Sequence, residues 1–450
     1  MQHSASEDHR RVPVSTGAVA RLAWPIMVSM LSYTLMSVID TIFVGQLGTA
    51  ELAGVGLAVT LIHLSQSFGW GLLGGLKVVI SQRFGAGDTQ AADQLAWQGL
   101  WVAGLLGTAM ASLGPLGPMM FGWMGGSASI IAHADLFFRI RLLGVPLLFV
   151  VMALSAHFHG RGETRTPMVA TLLSNGVNIA LDPIFIFGWW GFPALGVGGA
   201  ALATVLGIGT GALFLWLRLF SRLWASDSAL SSAWLREIWR IGSPMGLRNL
   251  LEVGSFTFFA AMLVQSGEAH LAAHVLVIRI ISVSFLPGHA LGEASSVLVG
   301  QSIGAARPDQ ARLAWRSSVQ LAVGVMAGMG LLFWLLPGAL LDPFGATAEV
   351  QTVGRRLLAI AALFQIFDAV AMVGLLSLNG AGDTRFTMII SVGSAWLVKL
   401  PLGYALAIGA DLGAAGAWWG LTAEIIVVAG AVLWRLQGEA WLERSPSPAF

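Results

Sequence analysis

The stretch GRGETRTPM, residues 160–168, returns as GAGDTRFTM at residues 380–388. A second pair of stretches has nearly the same separation along the chain: FGAGDTQAADQLAW at 84–97 and IGAARPDQARLAW at 303–315. The chain is therefore predicted to contain two copies of one unit, joined in the polar segment 221–237.

Composition indicates that both copies lie in a lipid bilayer. Of the 450 residues, 56% are hydrophobic and only 10% are charged, whereas about a quarter of the residues of a soluble protein are charged. A helix that crosses the bilayer needs about 20 apolar residues. The predicted spans cover residues 18–44, 52–80, 92–115, 134–158, 166–187, 197–217, 237–264, 270–300, 313–336, 352–378, 386–408 and 413–434.

Six spans in each copy give the two copies the same orientation, a common plan of secondary transporters. The predicted fold class is all-α and integral to the membrane, with twelve transmembrane helices in two six-helix bundles around a central cleft. The predicted domains are a cytoplasmic tail (1–17), an N-lobe (18–220), an inter-lobe loop (221–236), a C-lobe (237–436) and a second cytoplasmic tail (437–450).

Arginines give the predicted orientation, because positively charged short loops stay in the cytoplasm. With the N-terminus inside, sixteen arginines fall on the cytoplasmic side, among them Arg10, Arg11 and Arg444 in the tails. The four that fall outside are Arg139, Arg141, Arg355 and Arg356. We expect a multi-pass protein of the plasma membrane, a bacterial inner membrane, with both termini in the cytoplasm.

The composition also argues against several function classes. The net charge of +1 gives no bulk attraction to nucleic acid. Cysteine is absent, which removes thiolate chemistry, and no lysine loop of the kind that binds ATP phosphates is visible. Since no nucleophile–base pair or metal cluster is visible either, we expect no enzymatic activity and no cofactor beyond a coupling ion.

Acidic residues inside the spans are the main functional signal. A charged side chain at a helix centre costs about 2.5 to 3.5 kcal/mol on insertion scales, so it should face a cavity or a partner. Six acidic residues lie in the predicted spans away from the first and last two residues of each: Asp40, Asp182, Glu252, Glu293, Asp368 and Glu424.

Asp40 and Asp182 are predicted to lie at similar depth, each within roughly 10 Å of the outer end of its helix. Asn178 shares a helix face with Asp182, and Thr204 reaches a similar depth on the next span. Pro183 frees a backbone carbonyl one turn earlier. Such oxygen groups suit a sodium ion, and a shielded carboxylate suits a proton. The group is predicted to hold the coupling cation; the alternative is a polar network that only holds the bundle together.

Three further pairs carry charge inside the membrane. Glu252 and Asp368 are predicted as a second site for a cation or substrate, unless Arg248 neutralises Glu252 from four residues away. Lys77 and Glu293 are predicted to form a salt bridge at an inner gate, unless Lys77 extends to the cytoplasm instead. A third pair, Lys399 and Glu424, is predicted to be structural.

Four stretches resemble the multidrug and toxic compound extrusion (MATE) family of cation-coupled exporters: MSVIDTIFVGQLGTAELAGVGLA, NIALDPIFIFG, GAALATV and FQIFDAV. The similarity covers nearly the whole chain. It implies an N-lobe cation site formed by Asp40, Asn178, Asp182 and Thr204. The NorM-like branch of the family implies a C-lobe site at Glu252 and Asp368.

The chain departs from the family pattern at two places. Phe364 lies one turn before Asp368, where some members have a tyrosine, so a tyrosine-assisted relay is not expected. Lys77 and Glu293 are not part of the family pattern, which makes the gate hypothesis specific to this sequence.

The expected function is a monomeric antiporter that exports amphipathic, mostly cationic organic compounds in exchange for Na⁺ or H⁺. One alternative is a flippase for lipid-linked saccharides with the same broader fold, which a cleft lined with arginines rather than carboxylates would favour. Another alternative is a membrane-embedded enzyme or sensor.

Overall fold

The computed structural model describes residues 14–224 and 226–443, and every regular element in these ranges is a helix. The arginines of the predicted tails, Arg10, Arg11 and Arg444, lie outside the described residues. Eleven helices are long and apolar enough to cross a membrane, and a bent pair makes a twelfth span. The predicted all-α fold with twelve spans is confirmed.

We number the spans in chain order. They are α1 (Thr16–Gly45), α2 (Thr49–Gly85), α3 (Thr89–Ala111, continued by a 3₁₀ turn, Gly114–Leu116, and a short helix, Gly117–Met124), α4 (Ala128–Leu143 and Val145–Gly160, bent by 44°), α5 (Arg165–Phe187), α6 (Val197–Trp224), α7 (Ser232–Gln265), α8 (Glu268–Gly304), α9 (Pro308–Leu335), α10 (Ala348–Gly380), α11 (Thr384–Gly409) and α12 (Gly413–Gln437). A short helix, Pro337–Leu341, and a 3₁₀ turn, Asp342–Phe344, connect α9 to α10.

The inter-lobe loop is shorter than the predicted segment 221–236. Helix α6 continues to Trp224 because Leu219 and Leu223 still pack into a buried cluster. Helix α7 already begins at Ser232, where the side chain of Ser231 accepts a hydrogen bond from the third residue along, as N-cap residues do.

The first halves of α1 and α7 cross to the opposite lobe. Val19, Ala23 and Ile26 of α1 are buried in a core built mainly from α8 to α12. Ile238 and Ile241 of α7 are buried in the core built from α2 to α6. The two lobes therefore share a packed interface at the end of the molecule where α1 and α7 begin.

The repeated stretches of the sequence meet at this same end. Gln82 near the end of α2 donates a hydrogen bond to the carbonyl of Gly380 at 3.0 Å. Gln301, which has the same place in the second repeat, donates to the carbonyl of Gly160 at 2.9 Å. Gly160 and Gly380 open the two copies of the stretch GRGETRTPM/GAGDTRFTM. The same inter-lobe hydrogen bond therefore occurs twice, once for each repeat. We call this end of the molecule the closed end.

Glycines allow the helices of the two lobes to touch backbone to backbone. A methyl group added at Gly71 of α2 would overlap the backbone of Gly246 in α7, and one added at Gly75 would overlap the backbone of Gly242. No other residue type leaves room for this approach.

We expect Gly75→Ala to lower the unfolding temperature of the detergent-solubilised protein. The added methyl group meets α7 backbone, which cannot rotate away, and overpacking of this kind costs about 1 to 3 kcal/mol. Gly104→Ala in α3 is the matched control, because its added methyl group meets nothing within 4 Å. The control should be neutral or stabilised, since Gly in a helix interior is about 0.5–1 kcal/mol worse than Ala. Equal unfolding temperatures for the two variants would contradict the close contact.

Candidate functional site

The structure brings together the four residues predicted for the N-lobe site, on α1, α5 and α6. The side-chain amide of Asn178 is oriented so that both its nitrogen and its oxygen form hydrogen bonds. The nitrogen donates to Asp40 Oδ1 at 3.0 Å, and the oxygen accepts from the Thr204 N–H at 3.3 Å. The hydrogen-bond network decides this orientation. Thr204 Oγ1 itself donates to the carbonyl of Ala200 at 2.9 Å.

Asp182 lies at the centre of this group and is completely buried. Within the described residues, neither of its carboxylate oxygens meets a hydrogen-bond donor. Its neighbour is the carboxyl group of Asp40. Two ionised carboxylates only accept hydrogen bonds and repel each other. A proton shared between them, or a cation bound by both, removes that conflict.

Helix α5 supplies a further oxygen. It continues through Pro183, which has no N–H to donate, so the carbonyl of Ile179 loses its intrahelical partner. Asn175, one turn before Asn178, donates to Ser32 of α1 at 2.8 Å. This hydrogen bond holds α1 against α5 on the closed-end side of the carboxylates of Asp40 and Asp182.

A cavity of about 700 Å³ opens beside this group, lined by the halves of α1 and α2 that face away from the closed end. Asp40, Asn178 and Thr204 line it, and so do the aromatic side chains of Tyr33, Trp70 and Phe137. Apolar walls with a few convergent polar groups are typical of small-molecule sites.

Two arginines also line the cavity, and sequence reasoning did not place them there. Arg141 comes from the first half of the bent span α4, and Arg279 comes from α8 of the other lobe. From the sequence, Arg141 serves only as an orientation signal on the outer side. The sequence does contain a signal that Arg141 faces the cavity: the residue lies inside the predicted span 134–158, where a charge needs a cavity or a partner.

The predicted C-lobe residues are not joined directly. Glu252 forms a salt bridge at 3.5 Å with Arg248, the neutralising contact that was the alternative prediction for it. Among the described residues, no hydrogen bond or ion pair connects Glu252 to Asp368. One carboxylate oxygen of Asp368, Oδ2, is buried without a partner.

A lysine holds the centre of the C-lobe cluster. Lys399 is buried, lies 3.2 Å from Glu424, donates to Ser255 at 3.0 Å and sits 4.1 Å from the centre of the Phe256 ring. The predicted pair of Lys399 and Glu424 is therefore present. Glu424 in turn interacts electrostatically with both Asp368 and Glu252. One of the three C-lobe acids, Glu424, is thus paired with an ammonium group that belongs to the protein.

Lys77 and Glu293 form a salt bridge between α2 and α8, near the closed end. Lys77 is buried, so it does not extend toward the membrane surface. A second buried inter-lobe pair, Arg83 with Glu237 at 3.1 Å, lies one to two turns nearer the closed end. Trp234 covers the guanidinium of Arg83 at 4.8 Å. The sequence does not indicate this pair, because Arg83 lies outside the predicted span 52–80.

Metal-ligand clusters are not part of the site. Across residues 14–224 and 226–443, no group of three or more His, Asp or Glu side chains is placed so that it could hold a metal ion. The oxygen group around Asp182 is the arrangement that suits a monovalent cation or a proton.

Comparison with known proteins gives the same picture along the whole chain. The MatE family model matches residues 25–184 and again residues 244–405, one match in each lobe. The "Probable multidrug resistance protein NorM" of Pseudomonas syringae pv. tomato is 31% identical over 433 residues, covering 93% of this chain and 94% of that protein. The protein of the same name from Thermotoga maritima is 30% identical over 420 residues, covering 92% of this chain and 90% of that protein.

A solved structure shares the fold. It is described as the "Outward-facing conformation of a multidrug resistance MATE family transporter of the MOP superfamily", and it superposes with a TM-score of 0.88 at 24% identity, covering 95% of this chain and 96% of that one. With two matches to one family model and relatives about 30% identical over nearly their full length, the chain belongs to the MatE family, the family of the NorM multidrug efflux transporters.

Proposed function

We propose that this protein is a secondary antiporter that exports amphipathic organic compounds carrying a basic group in exchange for Na⁺ or H⁺. It works as a monomer in a bacterial inner membrane, with both termini in the cytoplasm. Membership of a multidrug transporter family supports export of small organic molecules. In this orientation the closed end is cytoplasmic and the cavity faces outward.

The buried carboxyl group of Asp182 is the observation that carries the proposal. It faces Asp40 with no donor in reach among the described residues, so the ionised pair is stable only with a proton or a cation. Asp40 also lines the cavity. A basic substrate and the coupling cation therefore compete for one carboxylate, which is sufficient for antiport.

We favour the N-lobe over the C-lobe as the coupling site because both N-lobe acids lack an ion-pair partner, whereas of the three C-lobe acids only Asp368 lacks one. In the C-lobe, Glu424 is paired with Lys399 and Glu252 with Arg248. No basic side chain forms an ion pair with Asp40 or Asp182 in the described parts of the chain. The N-lobe pair must take its cation from solution.

We assign the gate to the closed end. The salt bridge of Lys77 and Glu293 joins the two lobes and is buried. A cleft that opens toward the cytoplasm must separate these charges, and water must enter to solvate them. The pair therefore stabilises the outward-facing state relative to the inward-facing state.

The flippase alternative receives partial support from the two arginines of the cavity. A cleft for a polyanionic lipid carrier would have arginines in place of carboxylates. Here Asp40 remains among the lining residues, next to Asp182, and the walls are apolar and aromatic. This mixture favours export of a small amphipathic molecule.

We expect Asp182→Asn and Asp40→Asn to abolish gradient-driven efflux in proteoliposomes. The amide removes the charge that the cation and the basic substrate share, and typical coupling energies correspond to about 5- to 150-fold effects. Efflux of a fluorescent organic cation is measured with a sodium gradient and, separately, with a pH gradient, which identifies the coupling ion. Asp411→Asn is the matched control, because Asp411 lies on an exposed loop between α11 and α12.

Two outcomes would contradict the N-lobe assignment. The first is full driven efflux by Asp182→Asn together with loss in Asp368→Asn, which would move coupling to the C-lobe. The second is simultaneous binding of dye and cation without mutual weakening, because coupling between two ligands must be reciprocal.

We expect Lys77→Glu and Glu293→Lys each to slow efflux, and the double variant to recover a large part of it. Each single change leaves two like charges buried at the interface, and breaking a buried pair costs about 3 to 5 kcal/mol. Arg312 and Glu439 form an exposed ion pair at 3.1 Å. Exchanging these two residues is the control, because an exposed pair contributes only about 0 to 1 kcal/mol to stability. If the double variant shows efflux no faster than the slower single variant, the salt bridge of Lys77 and Glu293 is not a gate.

A further inference from the structure

A second pocket, at the closed end of the N-lobe, has no part in the proposed transport mechanism. It has a volume of about 380 Å³ and lies between the start of α3 and the end of α6. Its lining residues are all polar or charged: Thr89, Gln90, Asp93, Ser221, Arg222 and Ser226. The pocket therefore offers a carboxylate and a guanidinium group together with hydroxyl groups and an amide.

The carboxylate of Asp93 is held through one of its two oxygens. Both of its contacts, with Arg161 at 3.1 Å and with His157 at 3.5 Å, are made by Oδ1. The other oxygen, Oδ2, has no hydrogen-bond or ion-pair partner in the described parts of the chain. Asp93 is thus fixed in position and still has an oxygen that can accept a hydrogen bond from a ligand.

The guanidinium group of Arg222 also has capacity for a ligand. Within residues 14–224 and 226–443 its one partner is Glu163, whose Oε1 lies 3.5 Å from Nη1. The two side chains are 42% and 41% exposed, and an exposed ion pair of this kind is weak. The remaining N–H groups of Arg222 suit a phosphate, which a guanidinium group binds through two parallel hydrogen bonds.

The lipid-facing side of α6 leads to this pocket. Leu213, Leu217 and Ser221 are spaced by four residues, so they lie along one face of the helix. Leu213 and Leu217 are 57% and 65% exposed, on a helix that is long and apolar enough to cross the membrane. Trp224 is 80% exposed at the end of the same helix, and exposed tryptophans are enriched at the level of the lipid headgroups. The pocket therefore lies at headgroup level, beside a surface that contacts acyl chains.

We propose that this pocket binds the headgroup of phosphatidylethanolamine from the membrane leaflet at the closed end. Arg222 binds the phosphate, and the primary ammonium group donates to Oδ2 of Asp93. Leu213 and Leu217 pack against an acyl chain of the same lipid. This inference goes beyond the proposed transport function and does not depend on it.

The two opposite charges of the pocket select this headgroup among common phospholipids. Phosphatidylglycerol carries only a negative charge, which Asp93 repels. The choline group of phosphatidylcholine carries a positive charge but has no N–H to donate, whereas a primary ammonium group has three. Phosphatidylethanolamine satisfies both Arg222 and Asp93.

The test compares three lipids with identical oleoyl chains and ethanolamine, choline or glycerol headgroups. Each is titrated into the delipidated protein in detergent, and native mass spectrometry gives the Kd of the first bound lipid. For the wild type we expect the Kd of the choline lipid divided by the Kd of the ethanolamine lipid to be about ten or more, the range for a hydrogen bond to a charged group. In Asp93→Asn this ratio should fall toward one. In Arg222→Gln the Kd of the ethanolamine lipid should rise about tenfold.

Arg218→Gln is the matched control and should keep the wild-type Kd values. Arg218 lies one turn before Arg222 on α6, stacks on the ring of Phe214 at 5.3 Å and is not among the lining residues of the pocket. Arg222→Gln changes an exposed side chain, so it keeps the test decisive even if Asp93→Asn, which leaves Arg161 without this carboxylate, does not fold.

Three results would overturn the headgroup site. The first is a wild type that binds the choline lipid as tightly as the ethanolamine lipid. The second is tighter binding of the glycerol lipid than of the ethanolamine lipid, which would make the pocket a simple anion site. The third is an unchanged Kd of the ethanolamine lipid in Arg222→Gln. Because no ion gradient is used, none of these results depends on whether the protein is an antiporter.

Discussion

The structure depends on the direct contact of two lobes at one end of the molecule. Gln82 and Gln301 each donate to a glycine carbonyl of the opposite lobe, at equivalent places of the repeat. Glycines in α2 and α7 let the backbones meet, and the inter-lobe pairs Lys77–Glu293 and Arg83–Glu237 are buried beside them. Because these contacts lie toward one end, the cleft can be open at the other end, where the N-lobe carboxylates are.

Helix α1 connects this closed end to the carboxylates of the proposed cation site. Its first half is buried in the core of the C-lobe, while Asp40 near its other end lines the N-lobe cavity. Pro25 lies inside the first half, and Ser29 donates to the carbonyl of Pro25 at 2.9 Å. Proline removes one hydrogen bond of the helix ladder and makes bending easier at that place. A cation bound at these carboxylates, as proposed, would therefore act on a helix that contacts both lobes.

The sequence allowed prediction of the features that depend on local spacing and depth. The internal repeat predicted two six-helix bundles, and helical spacing placed Asn178 beside Asp182. Depth along the helices predicted that Asp40, Asp182 and Thr204 would meet, and that Lys77 would reach Glu293. These arguments need only the rise of a helix and the direction of each span.

The missed residues depend on how non-neighbouring helices rotate against each other. Arg83 pairs with Glu237 only because α2 and α7 touch through glycines, and no spacing within either helix indicates that contact. Arg141 and Arg279 reach one cavity from different lobes, which requires knowledge of the bend in α4. Counting arginines for orientation treats Arg83 and Arg141 as loop charges and so hides their positions inside the molecule.

The two lobes share a fold but differ in the source of the positive charge at their acids. Helices α5 and α11 occupy the same place in the repeat. The first supplies the carboxyl group of Asp182, with no donor in reach among the described residues; the second supplies the ammonium group of Lys399, bonded to Ser255 and Glu424. A buried carboxylate needs a proton, a cation or a basic partner. In the C-lobe the chain itself provides that partner for Glu424 and Glu252, though not for Asp368, whereas in the N-lobe neither Asp40 nor Asp182 has an ion-pair partner among the described residues. An ion from solution can therefore change the charge of the N-lobe site without first displacing a covalently attached lysine, and this asymmetry is the physical reason to place coupling there.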